Sequence, residues 1–495
     1  MTDILFVYFD IIHLDQWKNN IHFGIAGLSS YLKHHKFSVK LIYLRNKNDI
    51  QKLPSLTNEL KPRFIGFSFT SPQFKYVAAA AELLKKNFDT PIICGGIHST
   101  IAPEEVFGIP EVDMICVGEG ELPLKQLLSE KNGNTNNIAG ILNRDFDFNN
   151  GIIETNSLES LDDIPGYDWE LFDYGNIYEP REKKTANFLA SRGCPYNCSY
   201  CANKILREIK KTSKIRYFSV SRTISELEKL IKNYQIEYFR FTDDILTLDM
   251  NWYREFISEY KKYINKPFDF NIRINLITEE TIELLKSAGA NQLLIGIESG
   301  SENYRQNILK RDMSQKLMIE KLSLVRKYKI DIYAFNMIGG PEETPYDIIK
   351  TIKINAQAEV KMIQLSIITP YPGSDLFAYC KANKLIKNID SDSYFEDCQT
   401  IINNALPEKL LIFYKNNFFK IMRFYNKLYK FPCYMRHPMI YIADHILASA
   451  NICEVFPVLQ KIIKFYRKIK KKIMRHKISD TDNTLEITEG VGKNF

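Results

Sequence analysis

Ser191-Arg-Gly-Cys-Pro-Tyr-Asn-Cys-Ser-Tyr-Cys-Ala-Asn203 follows an apolar, strand-like run, Asn187 to Ala190, and sets Cys194, Cys198 and Cys201 in a C-x3-C-x2-C spacing. Three thiolates this close in one loop can wrap a face of an iron–sulfur cube, since thiolate is the usual ligand of such clusters. A complete cube takes four cysteines, and no fourth lies nearby. The fourth iron is then open to a small molecule, which suits catalysis better than electron transfer alone. Gly193 and Pro195 suit the sharp turn that aims the sulfurs inward. Zinc prefers paired knuckles, and the sequence has no second knuckle. Disulfides are disfavoured because nine cysteines are an odd number, spread thinly over 495 residues.

The length exceeds one ordinary core, so two or three domains are expected. Hydrophobic residues at 45% and charged residues at 25% describe a globular chain rather than a disordered one. The net charge of +7 is modest for this size and does not imply nucleic acid. Met1–Asp10 reads as a buried strand and not as a signal peptide, and no apolar run reaches the roughly 18 residues a membrane span needs. A reducing cytoplasm fits both the free cysteines and an oxygen-sensitive cluster.

Residues 1–145 alternate continuous apolar runs (Ile4–Phe9, Val39–Tyr43, Phe64–Phe69, Pro91–Cys94, Met114–Val117) with amphipathic segments. That alternation predicts a doubly wound, Rossmann-like parallel sheet with helices on both faces. Ligands of such sheets bind beyond the carboxyl ends of the strands. There the sequence places Ser68–Ser71, Gly95-Gly96-Ile97-His98 and Gly118-Glu119-Gly120-Glu121, small or glycine-rich loops that let a large planar ligand approach the backbone. No G-x-G-x-x-G follows the first strand, which argues against an ordinary dinucleotide fold. Residues 146–184 read as a linker, with turn signals at Asn149-Asn150-Gly151 and Leu161–Gly166, laid over one domain or the other.

From residue 185 to about 375 six further strand–helix units suit a partial (β/α)6 barrel of the TIM type, whose chemistry sits at the strand ends. The cysteine loop follows the first strand, Asp243-Asp244 the second, Arg273 the third, Glu298-Ser299-Gly300 the fourth and Gly339-Gly340-Pro341 the fifth. Paired carboxylates at Asp243-Asp244 could hold an ammonium group, or simply cap a polar loop. Residues 376–478 form a helical C-terminal region, in which Cys380, Cys398, Cys433 and Cys453 show no ligand spacing. Lys461–Lys477 carries nine Lys or Arg and no acid, which leaves open a solvated basic helix or one resting on anionic lipid or on an acidic partner. Ser479–Phe495 reads as a disordered tail.

The cysteine spacing, with an aromatic residue (Tyr200) before the last cysteine, resembles the signature of the radical S-adenosylmethionine (SAM) enzymes. The N-terminal pattern Gly95-Gly96-Ile97-His98-Ser99-Thr100, with Pro103-Glu104-Glu105 and Gly118-Glu119-Gly120-Glu121, resembles the cobalamin-binding domain that precedes many such cores. Together they identify the chain as similar to the class B, methyltransferase-like radical SAM enzymes. The resemblance implies a 4Fe-4S cluster on Cys194, Cys198 and Cys201, whose open iron chelates SAM and cleaves it to a 5′-deoxyadenosyl radical. It implies SAM contacts at Asp243, Asp244, Glu298, Ser299, Gly339 and Gly340, and cobalamin contacts at Ser71, Gly95, Gly96, Gly118 and Glu119. The family's D-x-H-x-x-G motif is absent, so His98 reads as a loop histidine and not a cobalt ligand. The implied reaction is C-methylation of a small-molecule or lipid substrate, fed by an electron donor such as flavodoxin or ferredoxin, with rearrangement or cyclisation as the alternative. A tRNA methylthiotransferase would need three N-terminal cysteines, and only Cys94 and Cys116 are present. A non-catalytic binding protein would not need the cysteine triad.

Overall fold

The computed structural model describes residues 2–10, 21–130, 138–176, 184–211, 214–387, 402–403 and 406–456. The basic run 461–477, the tail 479–495 and Cys398 lie outside these residues.

The N-terminal sheet is built from Thr2–Phe9 (β1), Val39–Leu44 (β2), Pro62–Ser68 (β3), Ile92–Gly95 (β4), Met114–Cys116 (β5) and Ile141–Asn143 (β6). Its order is β2-β1-β3-β4-β5-β6, parallel except for β6, which runs antiparallel to β5 at the edge. Strand β1 shows why this segment folds so: Ile4, Phe6 and Tyr8 enter one core and Leu5, Val7 and Phe9 another, so both faces are dry. The helices Phe23–His34 and Glu121–Ser129 cover the first face, and Leu53–Leu60 and Phe74–Lys85 the second.

The second sheet collects Thr185–Phe188 (β7), then, after the short antiparallel pair Ser191–Arg192 (β8) and Arg216–Tyr217 (β9), the strands Tyr238–Phe241 (β10), Phe268–Ile272 (β11), Gln292–Glu298 (β12), Asp331–Ile338 (β13) and Met362–Ile367 (β14). The six long strands are all parallel, in the order β14-β13-β12-β11-β10-β7, a half-barrel. Sequence reading expects the first strand to run to Ala190; instead it stops at Phe188, and β8 peels off to pair with β9.

The segment before β7 is wedged between the sheets. Tyr167 donates to the Leu189 carbonyl at 2.8 Å, and its ring lies 4.9 Å from Phe23 and 5.8 Å from Phe188. Asp168 accepts from Ser29 and Lys33, both at 2.6 Å. Tyr167, with Trp169, Phe172 and Tyr174, joins one face of the N-terminal sheet to the half-barrel core in a single apolar cluster. That continuity sets the relative placement of the two sheets.

The C-terminal helices Glu408–Leu428 and Cys433–Leu447 pack beside the helix Pro345–Gln357. Tyr414 donates to the Leu447 carbonyl at 2.7 Å, and Lys353 meets Asp444 at 2.7 Å.

Candidate functional site

The carboxyl ends of β3, β4 and β5 face those of β7 and β10 across a cavity of about 590 Å³. Gly66, Ser68, Thr70, Gly95, Gly96, Thr100 and Gly118 line its N-terminal wall; Gly193, Cys194, Cys201, Asn203 and Asp244 line the other.

The cysteine loop is held from several sides. Gly193 takes a φ of +111°, where a side chain would be strained. Arg207, on the helix that follows, donates to the Cys194 and Tyr196 carbonyls at 2.9 and 3.2 Å. Ser199 donates from its backbone N–H to the Leu309 carbonyl at 3.1 Å and from its hydroxyl to the Ile308 carbonyl at 2.6 Å. Arg273 lies across the Tyr196 ring, 3.8 Å from its centre, and directs Nη1 at the Cys198 sulfur, 3.4 Å away.

All three cysteines are free thiols, Cys198 buried and the other two partly so. Burial pushes the Cys201 thiol up to about 11 and that of Cys194 in the same direction. Cys194 and Cys201 would therefore stay protonated near neutrality unless a cation drew the protons off, as metal coordination does. Among the described residues no three Cys, His, Asp or Glu side chains converge on a single metal ion. A cube makes no such demand, because each cysteine binds a different iron. The donor set thus fits a cluster with one site left to another ligand.

The strand-end carboxylates divide in use. Asp243 is fully buried and accepts from the Ser191 hydroxyl and from the Ala190 N–H at 3.2 Å, and burial pushes it up to about 7. It braces the start of the cysteine loop. Asp244 lines the cavity, raised by burial and opposed by a hydrogen bond from the Asn203 side chain. Glu298, at a φ of +62°, has Arg311 Nη1 3.6 Å from its Oε1 and is hydrogen-bonded by Tyr200; Arg311 also reaches the Tyr200 hydroxyl at 3.1 Å and the Gly296 carbonyl at 2.6 Å. Arg273 Nε and Asn275 Oδ1, beside Tyr196 of the cysteine loop, and Arg311 Nε, beside Glu298, are buried without partners among the described residues. Orphaned polar atoms of this kind fit a polar ligand bearing carboxylate, amino and hydroxyl groups.

Three other expected residues are closely packed by their neighbours. Ser299 is fully buried, and its hydroxyl accepts from the Ser301 N–H at 3.2 Å and lies 3.4 Å from the Thr351 hydroxyl. A Cβ on Gly339 would meet Leu411 at 2.8 Å, and one on Gly340 would meet the Tyr304 hydroxyl at 1.9 Å. The Gly339 N–H donates to Glu343, whose carboxyl burial pushes up to about 8.

On the N-terminal wall, Gly95, Gly96 and Gly118 line the cavity as expected, with Gly96 and Gly118 at positive φ. Ser71 does not; it turns inward to His98 Nδ1, 2.9 Å away. His98 is itself buried against Phe69 and Phe74 and does not reach the cavity. Glu119 lines the wall, but three cations occupy its carboxylate: Arg192 at 3.2 Å, Lys210 at 2.5 Å, and Arg216. Burial alone would raise it, yet the three outweigh burial and hold it down to about 2. Arg192 also meets Glu121 at 2.8 Å. Sequence reading missed Arg192, Lys210 and Arg216, as it missed His22, which lines the cavity and caps the helix Phe23–His34 by accepting from the Ile25 N–H at 3.0 Å. The one available signal was Arg192, a charge set directly before the Gly193-Cys194 turn.

Residues 188–354 match the family model of the radical SAM superfamily, and residues 20–128 that of the B12 binding domain. The chain is 26% identical over 385 residues to an uncharacterized methyltransferase of Pyrococcus horikoshii, covering 75% of this chain and 81% of that protein. It is 26% identical over 375 residues to the anaerobic magnesium-protoporphyrin IX monomethyl ester cyclase of Rubrivivax gelatinosus, covering 71% of this chain and 65% of that one. In fold it is similar to the cobalamin-dependent SAM radical enzyme OxsB, solved with aqua-cobalamin and SAM bound: TM-score 0.66 at 16% identity, over 99% of this chain and 82% of the other. The chain belongs to the radical SAM enzymes that carry a cobalamin-binding domain in front of the core. Its cofactors are a 4Fe-4S cluster, SAM and cobalamin.

Proposed function

We propose that this enzyme is a methyltransferase acting on a carbon of a small-molecule or lipid substrate. When bound, the cluster and SAM supply a radical and cobalamin carries the methyl group. Cys194, Cys198 and Cys201 hold the cluster, with Arg273 against Cys198. Asp244, Glu298 and Arg311 orient SAM, while Asp243, Ser299, Gly339 and Gly340 shape the strand ends behind them. Gly95, Gly96 and Gly118, with Ser68, Thr70 and Thr100, hold cobalamin on the facing wall.

The observation that carries this reading is the shared cavity: the cysteine loop and the ends of β3, β4 and β5 open onto one space and not two. Substrate held there meets both walls, which is what delivery of a group from one cofactor to a radical made at the other requires. The likeness to a named methyltransferase supports it. The likeness to the cyclase of Rubrivivax gelatinosus supports a second reading, ring closure or rearrangement at the same site.

Anaerobic reconstitution with iron, sulfide and cobalamin, followed by methyl-labelled SAM and reduced flavodoxin or ferredoxin, separates the readings. The expected result is 5′-deoxyadenosine together with label on cobalamin. Label absent from cobalamin while 5′-deoxyadenosine forms points to the cyclase reading. No 5′-deoxyadenosine at all overturns both.

A further inference from the structure

The helix Cys433–Leu447 buries only Ala443 and Leu447 fully, although most of its surface is apolar. Met435, Met439, Ile442 and Ile446 recur at helical spacing along its outer side and are 41, 38, 57 and 40% exposed. Tyr434 and Tyr441, on the adjoining stripe, are 78 and 65% exposed. A helix lying on a core normally turns polar residues outward; this one is apolar on both sides, the mark of a helix with a second apolar neighbour. Phe424 on the preceding helix and Phe431 in the connection are exposed as well.

Charge identifies what covers it. Across residues 408–456 seven Lys or Arg stand against three acids, Glu408, Asp444 and Glu454. Asp444 is already engaged by Lys353 at 2.7 Å and by the Tyr425 hydroxyl at 2.6 Å. Lys420, Arg423, Lys427 and Lys430 are exposed on the helix Glu408–Leu428 and just beyond it. The sequence then continues with nine more Lys or Arg and no acid over 461–477. A second copy of the chain would bring this basic surface against itself, whereas anionic headgroups neutralise it. Tyrosines flanking an aliphatic stripe match the headgroup level of a bilayer. No described helix is long and apolar enough to cross a membrane, so the helix would lie along the surface.

We propose that the helix Cys433–Leu447 docks this enzyme on an anionic lipid surface, with the Met435, Met439, Ile442 and Ile446 stripe in the headgroup–acyl boundary and the lysines of the preceding helix against the headgroups. The inference is independent of the methyl-transfer reading, since it concerns a surface remote in sequence from every cofactor residue.

The test is sedimentation of the full-length protein with vesicles of phosphatidylcholine alone, or mixed with phosphatidylglycerol. The wild type is expected to bind the mixed vesicles at least about tenfold more tightly than the neutral ones. The double variant Met439→Ser, Ile442→Ser is expected to lose about tenfold or more on mixed vesicles, while keeping its cobalamin and iron content because both side chains are exposed. A Tyr441→Trp probe is expected to shift its fluorescence to the blue on adding mixed vesicles. Equal binding of the double variant and the wild type overturns the proposal, because binding then rests on the basic tail alone. Self-association without lipid, abolished by the double variant, also overturns it and assigns the face to a second copy. An unshifted tryptophan overturns it as well.

Discussion

Arg192 meets Glu119 at 3.2 Å across the boundary between the cysteine loop and the N-terminal sheet, two residues before Cys194. The Gly118-Glu119-Gly120-Glu121 loop therefore works as a clamp: its glycines keep the cavity wall low, and its carboxylates grip Arg192, Lys210 and Arg216. Both partners are almost wholly removed from water, so breaking the pair leaves a buried charge. Glu119→Gln is expected to destabilise the chain by about 3–5 kcal/mol in chemical unfolding. It should also increase protease cleavage within residues 146–184, as the walls separate. Unchanged cleavage would mean that the apolar wedge around Tyr167 holds the two sheets without the clamp.

Arg273 Nη1 lies 3.4 Å from Cys198 Sγ. A cation donating to a cluster thiolate stabilises the more negative, reduced state, since cluster potentials follow hydrogen bonding and charge at the sulfurs. Arg273→Met is expected to lower the cluster's midpoint potential, read by a dye-mediated titration followed by electron paramagnetic resonance, with iron content unchanged. Arg273→Lys should recover part of the shift, and less than all of it, because an ammonium cannot also stack flat on Tyr196. Identical potentials in the wild type and Arg273→Met would reduce Arg273 to a support for the Tyr196 ring.

Cys198→Ala is expected to abolish 5′-deoxyadenosine formation, because a cube short of one ligand loses its hold on SAM. Cobalamin retention should change little, since the facing wall is built from β3, β4 and β5 and not from the cysteine loop. Joint loss of both would show that the walls assemble as one unit.

His98 is held down to about 4 by burial, despite Glu105 standing 3.9 Å from its Nε2. An unfolded histidine takes a proton near pH 6.5, so below that value the unfolded chain binds more protons and stability falls. The contribution is complete above about pH 6.5 and is lost as pH falls towards about 4, amounting to at most about 3 kcal/mol. His98→Gln, which can keep the bond to Ser71, is expected to flatten the stability curve over that window. Its cobalamin should show an unchanged cobalt spectrum, because His98 does not reach the cavity. A spectral change on this substitution would reinstate His98 as a ligand.

The order of strands and helices was legible because parallel sheets buried on both faces leave continuous apolar runs, as in Ile4–Phe9. The antiparallel β6 was not, since three residues at an edge carry no periodic signal. Strand-end positions were legible too, but the direction of their groups was not. Ser71 and Asp243 sit at the expected ends yet turn to His98 and Ser191. The clamp was invisible because Glu119 and Arg216 are 97 residues apart, and no local pattern ties a carboxylate in one sheet to a cation in another.

Gly340 illustrates the same difficulty in testable form. A G-G-P loop after a barrel strand reads as room for a ligand's base, yet a Cβ at Gly340 would meet the Tyr304 hydroxyl at 1.9 Å and Ile368 at 3.0 Å. Its smallness is therefore demanded by a neighbouring tyrosine. That hydroxyl is buried with no hydrogen-bond partner among the described residues, so removing it costs little. Tyr304→Phe is expected to be near neutral in urea unfolding. Gly340→Ala should lose about 1–3 kcal/mol by overpacking. The double variant should recover much of that loss, because two residues in contact are not additive. If Gly340→Ala loses the same amount in the Tyr304→Phe background, the tyrosine hydroxyl is not what the glycine accommodates. Equilibrium binding of SAM to the same four proteins then separates packing from recognition. Affinity that follows stability assigns Gly340 to the strand end, and affinity lost in the double variant despite restored stability assigns it to the ligand.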